Sequence, residues 1–207
     1  MIELFLSAFV TLFVVIDPPG CAPIYAGLTT GASGAQRRSM AIRAVIIAGV
    51  ILLIFALFGQ QLLGALHIEL DAFRAAGGIM LFLIALDMVF EKRTQRREER
   101  AEKVRATPEV EDVSVFPMAM PMLAGPGAIA SIMLLQGQAA GIEGTVVVLA
   151  ALAAVLLLTL LALLAASPLM RLVGAQVEAV ITRLLGVLLA ALAAQYVIDG
   201  VRGSFGL

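Results

Sequence analysis

Apolar residues run through this chain in six long blocks, parted by short polar stretches. The blocks fall at about residues 4–29, 40–63, 72–90, 116–136, 145–166 and 180–199. Each is near the roughly 20 residues a helix needs to cross a hydrocarbon core. Two stretches read as uninterrupted, Ala44 to Phe58 and Thr145 to Ala166. The second is almost wholly Ala, Leu and Val, which suits a lipid-facing or scaffold helix. Two blocks are broken. The run Leu4 to Ile16 leads into Asp17-Pro18-Pro19-Gly20-Cys21-Ala22-Pro23, a carboxylate, three prolines and a glycine where helix should continue. The fourth block carries Pro121-Met122-Leu123-Ala124-Gly125-Pro126-Gly127-Ala128-Ile129. Each proline removes a backbone donor and clashes with the preceding turn. Hydrocarbon satisfies no freed carbonyl, so such breaks survive only inside protein or against a watery cavity. The pattern predicts an all-α membrane protein of six transmembrane segments, with segments one and four broken.

The two halves echo each other. Arg74-Ala75-Ala76-Gly77 and Arg183-Leu184-Leu185-Gly186 lie 109 residues apart, and Pro19-Gly20 and Pro126-Gly127 lie 107 apart. Nearly equal registers predict one transmembrane domain over 1–207 made of two three-span copies, about 1–90 and 116–207, with a cytoplasmic linker at about 91–115. An odd number of spans per copy makes this an inverted repeat with its pseudo-two-fold axis in the membrane plane. Each second half-helix then starts near its break, and its N–H groups and partial positive charge suit a carboxylate. The carbonyls that end the first halves suit an ammonium or a cation, so a zwitterion can use both. The predicted substrate-binding residues are Asp17, Pro18, Pro19, Gly20 and Cys21 at the first break, with Met122, Gly125, Pro126, Gly127 and Ala128 at the second. Gly20, Gly125 and Gly127 carry no side chain, which lets backbone approach a ligand.

Charge sets orientation and excludes some functions. Only 14% of the 207 residues are charged and 61% are hydrophobic, far from the balance of a soluble domain. Arg37, Arg38 and Arg43 sit in the first loop, seven basic residues in the stretch Glu91 to Asp112, and Arg171 and Arg183 in the fifth connection. Those 12 of the 14 basic residues share one side, which is then the cytoplasm, and both termini face outward. The mixed charges of the middle stretch read as a solvated, partly helical linker. A net charge of −1 gives no hint of a nucleic-acid partner. The single cysteine, Cys21, excludes an internal disulfide and a multi-cysteine metal site. No basic leader precedes the first apolar run, so it reads as part of the mature protein.

Asp17 is the sharpest single residue, because a carboxylate at membrane depth costs several kcal/mol. It binds a substrate ammonium or a coupling proton, or it caps the helix restarting at Pro18, and the two roles are compatible. Asp87 reads as interfacial and Gln195 as the donor of an interhelical hydrogen bond. Gly77 and Gly78, with Ala75, Ala76 and Ala85, form a small-residue packing face. His67, the lone histidine, reads as surface, since one histidine makes no zinc centre. Met118 and Met120 read as packing, and Met122 as an apolar wall of the pocket.

These motifs resemble the MarC family of integral membrane proteins, also called the small neutral amino acid transporter family. Asp17 to Pro23 is similar to the family's Asp-Pro-Ile-Gly-Asn-x-Pro motif, with Pro19 in place of the usual isoleucine and Cys21 in place of the usual asparagine. Phe116 to Ile129 resembles the second motif closely, and Phe73 to Met88 resembles the third segment. The resemblance implies a six-span transporter of the bacterial inner membrane that moves small neutral amino acids such as glycine or alanine.

The sequence therefore predicts a secondary transporter with a midplane site and alternating access. Its partners are a small-molecule substrate and the lipid bilayer, and coupling to a proton or sodium is left open, as is oligomeric state. No cofactor is expected, and no nucleotide-binding motif is present. Two other readings stand beside it: a non-transporting scaffold or sensor, and an intramembrane enzyme, which would need a nucleophile with a base or a carboxylate pair.

Overall fold

The computed structural model describes residues 1–90 and 112–206, and the backbone alone over 167–179. The charged middle stretch assigned above to a linker lies almost wholly outside the described residues. The described chain is helical, with no strand. Its first span is α1 (Ile2–Ile16) followed after one residue by α2 (Pro18–Leu28). Next come α3 (Gly34–Ala65) and α4 (Leu70–Val89). The fourth span joins a kinked segment, Ser114–Leu123, to α5 (Pro126–Gln138). Then follow α6 (Gly141–Leu164) and α7 (Ala166–Phe205). Five stretches are long and apolar enough to cross a membrane, and the bent pair makes six.

Local chemistry accounts for the boundaries. Ser33 begins α3 with a reciprocal cap: its hydroxyl accepts from the Gln36 N–H at 3.3 Å, and Gln36 Oε1 accepts from the Ser33 N–H at 2.9 Å. The turn into α4 places His67 at φ 57°, exposed as its sequence suggested. In the kinked segment Phe116 and Met120 are extended, each just before a proline, which crowds the helical conformation of its predecessor. The sixth span runs further than its apolar block, to Phe205 instead of residue 199. Asp199 and Arg202 end the apolar pattern, but Gly200 and Gly203 lie flush against Ala75 and Asp71 of α4, so packing carries the helix on. The connection before that span, read as a loop, is helical backbone continuous with α7.

The most extensive packing is between α4 and α7. They run antiparallel. A methyl group added at Gly78 would lie 2.8 Å from the Ala193 carbonyl oxygen and the Val197 nitrogen, and one at Gly186 would lie 2.9 Å from Met88 Cβ. At the far end one at Gly200 would lie 2.7 Å from the Asp71 carbonyl oxygen. Small residues thus bring two backbones together where no hydrophobic effect drives helices to associate. α1 lies on α6 and the kinked segment on α3, while α2 lies on α6 and α5 on α3. α1, α2 and α5 fill the interior: Leu12, Ile16, Cys21, Ala22, Ile132 and Leu135 have no exposed surface. Ile46, Val50, Leu157, Leu161, Leu184 and Leu188 are exposed on the outer helices, as lipid-facing positions must be.

Candidate functional site

The first break is one residue wide. Asp17 takes the left-handed conformation at φ 59° and ψ 65°, ending α1 and starting α2. Its own N–H donates to the Phe13 carbonyl at 2.9 Å, and its carbonyl accepts from Cys21 N–H at 3.0 Å. Pro18 and Pro19 occupy the first positions of α2, where an N–H has no intrahelical partner anyway. The third position, Gly20, donates its N–H to Asp17 Oδ1 at 3.1 Å. A methyl group at Gly20 would collide with that carboxylate, so glycine is what lets the cap close. Cys21 donates its thiol to the Ile16 carbonyl at 3.4 Å, serving an acceptor that the break takes out of the helical ladder. The Asp17 N–H and carbonyl, the Gly20 N–H and the Ile16 carbonyl are thus paired locally, and Asp17 is buried with 1% of its surface exposed. The capping role read from the sequence is present.

The second break is sharper, with a bend of 52° between the kinked segment and α5. Gly125 caps α5 in extended conformation, Pro126 takes the first helical position, and the Gly125 carbonyl accepts from Ile129 N–H at 3.0 Å. Gly125 sits against the Pro121 carbonyl, leaving no room for a side chain. Met122 and Ala128 are buried, and Pro126 is exposed. Gly127 lies flush on Ile84 of α4, and its missing Cβ would stand 3.4 Å from Val15 Cγ1. Val15 is two residues before Asp17, and Gly127 two after Gly125. The fold therefore brings the end of α1 and the start of α5 together, side by side.

Asp17, Pro18, Gly20 and Cys21 are buried at the first break, and Met122, Gly125, Gly127 and Ala128 at the second, where Pro126 is exposed. Three cavities lie elsewhere, and none of these three is lined by a residue of either break. One of about 420 Å³ is bounded by Tyr25, Thr29, Gly34, Arg38 and Leu163. A second, about 390 Å³, is bounded by Gln60, Gln61, Gln136, Gly141 and Thr145. A third, about 360 Å³, is an apolar groove between α1 and α7. The sequence reading passed over the glutamines because an amide in an apolar block carries no charge to mark it.

Several other polar residues are bonded within the scaffold. Gln195 is exposed and donates to Asp199 Oδ1 at 2.8 Å within α7, so the interhelical bond expected of it is not made: its side chain points away from the packed face. Arg74 pairs with Asp71 at 2.7 Å. Arg43 pairs with Asp112, which ties the start of the fourth span to α3. Tyr25 donates its hydroxyl to the Arg37 carbonyl, and Arg37 Nε and Nη2 donate to the carbonyls of Ala32 and Thr30, both at 3.0 Å, closing the α2–α3 turn. No cluster of metal-ligating side chains occurs among the described residues.

A family model described as MarC family integral membrane protein matches residues 2–205. A UPF0056 membrane protein of Methanocaldococcus jannaschii is 36% identical, covering 98% of each chain. The UPF0056 membrane protein YvbG of Bacillus subtilis is 34% identical over 99% of this chain and 97% of its own. The UPF0056 membrane protein YhcE of Escherichia coli is 31% identical over 95% of this chain and 91% of its own. These names state a membrane location and no catalytic activity. No solved structure matches the chain.

Proposed function

The chain belongs to the MarC family of integral membrane proteins, and from that premise we propose that it is a secondary transporter of small neutral amino acids of the glycine and alanine kind. One observation carries the reading: two helix breaks from different halves of the chain meet inside the bundle, with the Asp17 carboxylate buried beside the contact of Val15 and Gly127. A buried carboxylate in a membrane interior is costly, and it marks a substrate or ion path by default. Asp17, Pro18, Pro19, Gly20 and Cys21 face the ligand from one side, and Met122, Gly125, Pro126, Gly127 and Ala128 from the other.

Reciprocal packing supports two inverted copies. α1 on α6 answers the kinked segment on α3, and α2 on α6 answers α5 on α3. α4 and α7, the third helices of the two copies, cross antiparallel. Where α3 meets α6, a methyl group at Gly49 would stand 3.2 Å from Leu156, the residue 107 positions later. A residue touching its own counterpart is what a pseudo-two-fold axis produces. Rocking of one copy against the other would open the packed breaks to each side in turn. The membrane is the bacterial inner membrane where the organism has one, with the arginine-rich loops in the cytoplasm.

The test is radiolabelled glycine and alanine flux into proteoliposomes, wild type beside Asp17→Asn. Flux that falls in the mutant is the expected result, and flux of neither amino acid by folded wild type overturns the substrate. A non-transporting scaffold is favoured by one observation, the burial of most residues at both breaks. Absence of flux for any small solute, with breaks that stay closed to labelling from both faces, would select it.

A further inference from the structure

The cavity of about 420 Å³ lies where the end of α2, the first turns of α3 and the α6–α7 turn meet. Arg37 and Arg38 line it, and among the described residues no acidic side chain does. Arg37 is committed to the scaffold, its guanidinium holding the carbonyls of Ala32 and Thr30. Arg38 is exposed, and among the described residues no carboxylate pairs with it. Asp112, the acid at the start of the fourth span, is held by Arg43. Arg38 stands four residues after Gly34, on the same face of α3. A methyl group at Gly34 would meet nothing within 4 Å, so the backbone there is open to a ligand. The Gly34 N–H is the first of a 32-residue helix, with no intrahelical partner and a share of the positive helix end. The other two donors of the lining are engaged: the Tyr25 hydroxyl donates to the Arg37 carbonyl, and the Thr29 hydroxyl to the Tyr25 carbonyl at 2.8 Å. The remaining wall is apolar, with Leu163 buried and Leu164 43% exposed.

This hollow sits at the level of lipid headgroups. The 32 residues of α3 make a rod about 48 Å long, against a hydrocarbon core of about 30 Å. Centred and upright, α3 overshoots that core by about 9 Å at each end, which takes its first turns into the headgroup layer. The cavity at the other end of α3 shows that the arginine is not needed to build such a hollow. Gln136, Gly141 and Thr145 stand 107 residues after Thr29, Gly34 and Arg38, so Thr145 holds the place of Arg38. No ionisable side chain lines that second cavity, yet it reaches about 390 Å³. The cation at Arg38 therefore answers to something other than packing.

We propose that the Arg38 cavity binds the phosphate of an anionic phospholipid from the leaflet at that end of the bundle. The Arg38 guanidinium donates to two phosphate oxygens as a fork, which is the geometry in which arginine pairs with phosphate. The Gly34 N–H donates to a phosphate oxygen, and the lipid's apolar part leaves along Leu163 and Leu164. Basic pockets between membrane helices suit anionic headgroups for the same electrostatic reason. A lipid of net negative charge is favoured over a zwitterionic one, because the described lining offers no carboxylate to an ammonium. The volume lies within the range of roughly 300–1,000 Å³ that holds small molecules. The site stands on the arginine, the open helix start and the depth of the cavity, and not on the transporter reading.

The test uses Gly34→Cys as reporter, in the full-length protein in phosphatidylcholine vesicles, with a membrane-permeant maleimide. Gly34 lines the cavity and has room for a side chain, whereas native Cys21 is fully buried and should label little. Phosphatidylglycerol at roughly ten times its half-saturating fraction should slow labelling about tenfold, the unoccupied share that mass action leaves. Ile142→Cys, at the uncharged cavity, should label at the same rate with and without it. Arg38→Gln should raise the phosphatidylglycerol needed by about tenfold or more, as loss of hydrogen bonds to a charged group does. Arg38→Lys should recover part of that loss, a charge without the fork. Arg43→Gln removes an equal charge from the same end of α3 but not from the cavity, and should leave protection unchanged. Absence of slowing in the Gly34→Cys protein overturns the site. Equal slowing at Ile142→Cys, or an equal loss in Arg43→Gln and Arg38→Gln, would mean diffuse surface attraction and overturns it too. Inorganic phosphate added to pure phosphatidylcholine vesicles should protect far less, and equal protection by it would overturn the lipid as the source of the phosphate.

Discussion

Asp17 caps α2, and the ligand role proposed for it can be separated from the cap chemically. As a helix cap, an amide serves nearly as well as a carboxylate, and asparagine tolerates the left-handed conformation seen at φ 59°. Asp17→Asn should therefore unfold at the wild-type temperature while losing transport. Asp17→Ala should lose the cap as well and cost about 1 kcal/mol, measured by thermal unfolding in detergent. Gly20→Ala gives a sharper reading of the same cap. Helix propensity alone favours alanine over glycine by about 1 kcal/mol, yet the added methyl group would fall on the Asp17 carboxylate. A destabilised Gly20→Ala is expected, and a stabilised one would mean that the carboxylate does not hold the Gly20 N–H. The sequence announced the cap, with Asp17 followed by proline at the first helical position. It did not announce Cys21 as the donor to the Ile16 carbonyl, since that bond exists only once the break has its shape.

At the level of elements, glycine spacing decides how the two third-position helices meet. Gly78 and Gly200 sit where backbone of the opposite helix approaches within 2.8 Å of the position a side chain would take, and Gly186 where Met88 Cβ comes within 2.9 Å. Gly78→Val should destabilise the bundle by the 1–3 kcal/mol or so that overpacking costs, because Ala193 and Val197 present backbone atoms that cannot turn aside. The antiparallel order is open to cross-linking. Met88→Cys with Gly186→Cys should form a disulfide on mild oxidation, the two β-carbons being close neighbours. Met88→Cys with Gly203→Cys should not, and the reverse outcome would rule out this register. The matching Arg-x-x-Gly stretches of α4 and α7 are alike in sequence, but which glycine meets which carbonyl was not legible there, since any small residue in an apolar block can face lipid or protein equally well.

For the whole molecule, orientation is a matter of charge. Reporter fusions at both ends of the chain, one active only outside and one only inside the cytoplasm, should place both termini outside. A terminus found inside would invert the assignment, making the Arg38 cavity external. The crossing of α4 with α7 and the contact of Gly49 with Leu156 are what the proposed two-fold axis requires. None of these relations involves neighbours in the chain.

The sequence by itself determined the membrane as solvent, the number and order of spans, and the positions of the two breaks. Those follow from local rules: apolar length against bilayer thickness, and proline and glycine against the helical ladder. Only the tertiary structure decided that the breaks lie side by side, that most of their residues are buried, that Gln195 bonds within its own helix, and that Gln136 is left with an unmatched oxygen. The reason is physical. Burial and hydrogen-bond satisfaction belong to the arrangement of faces, and an apolar block in lipid has no amphipathic stripe to declare which face turns inward.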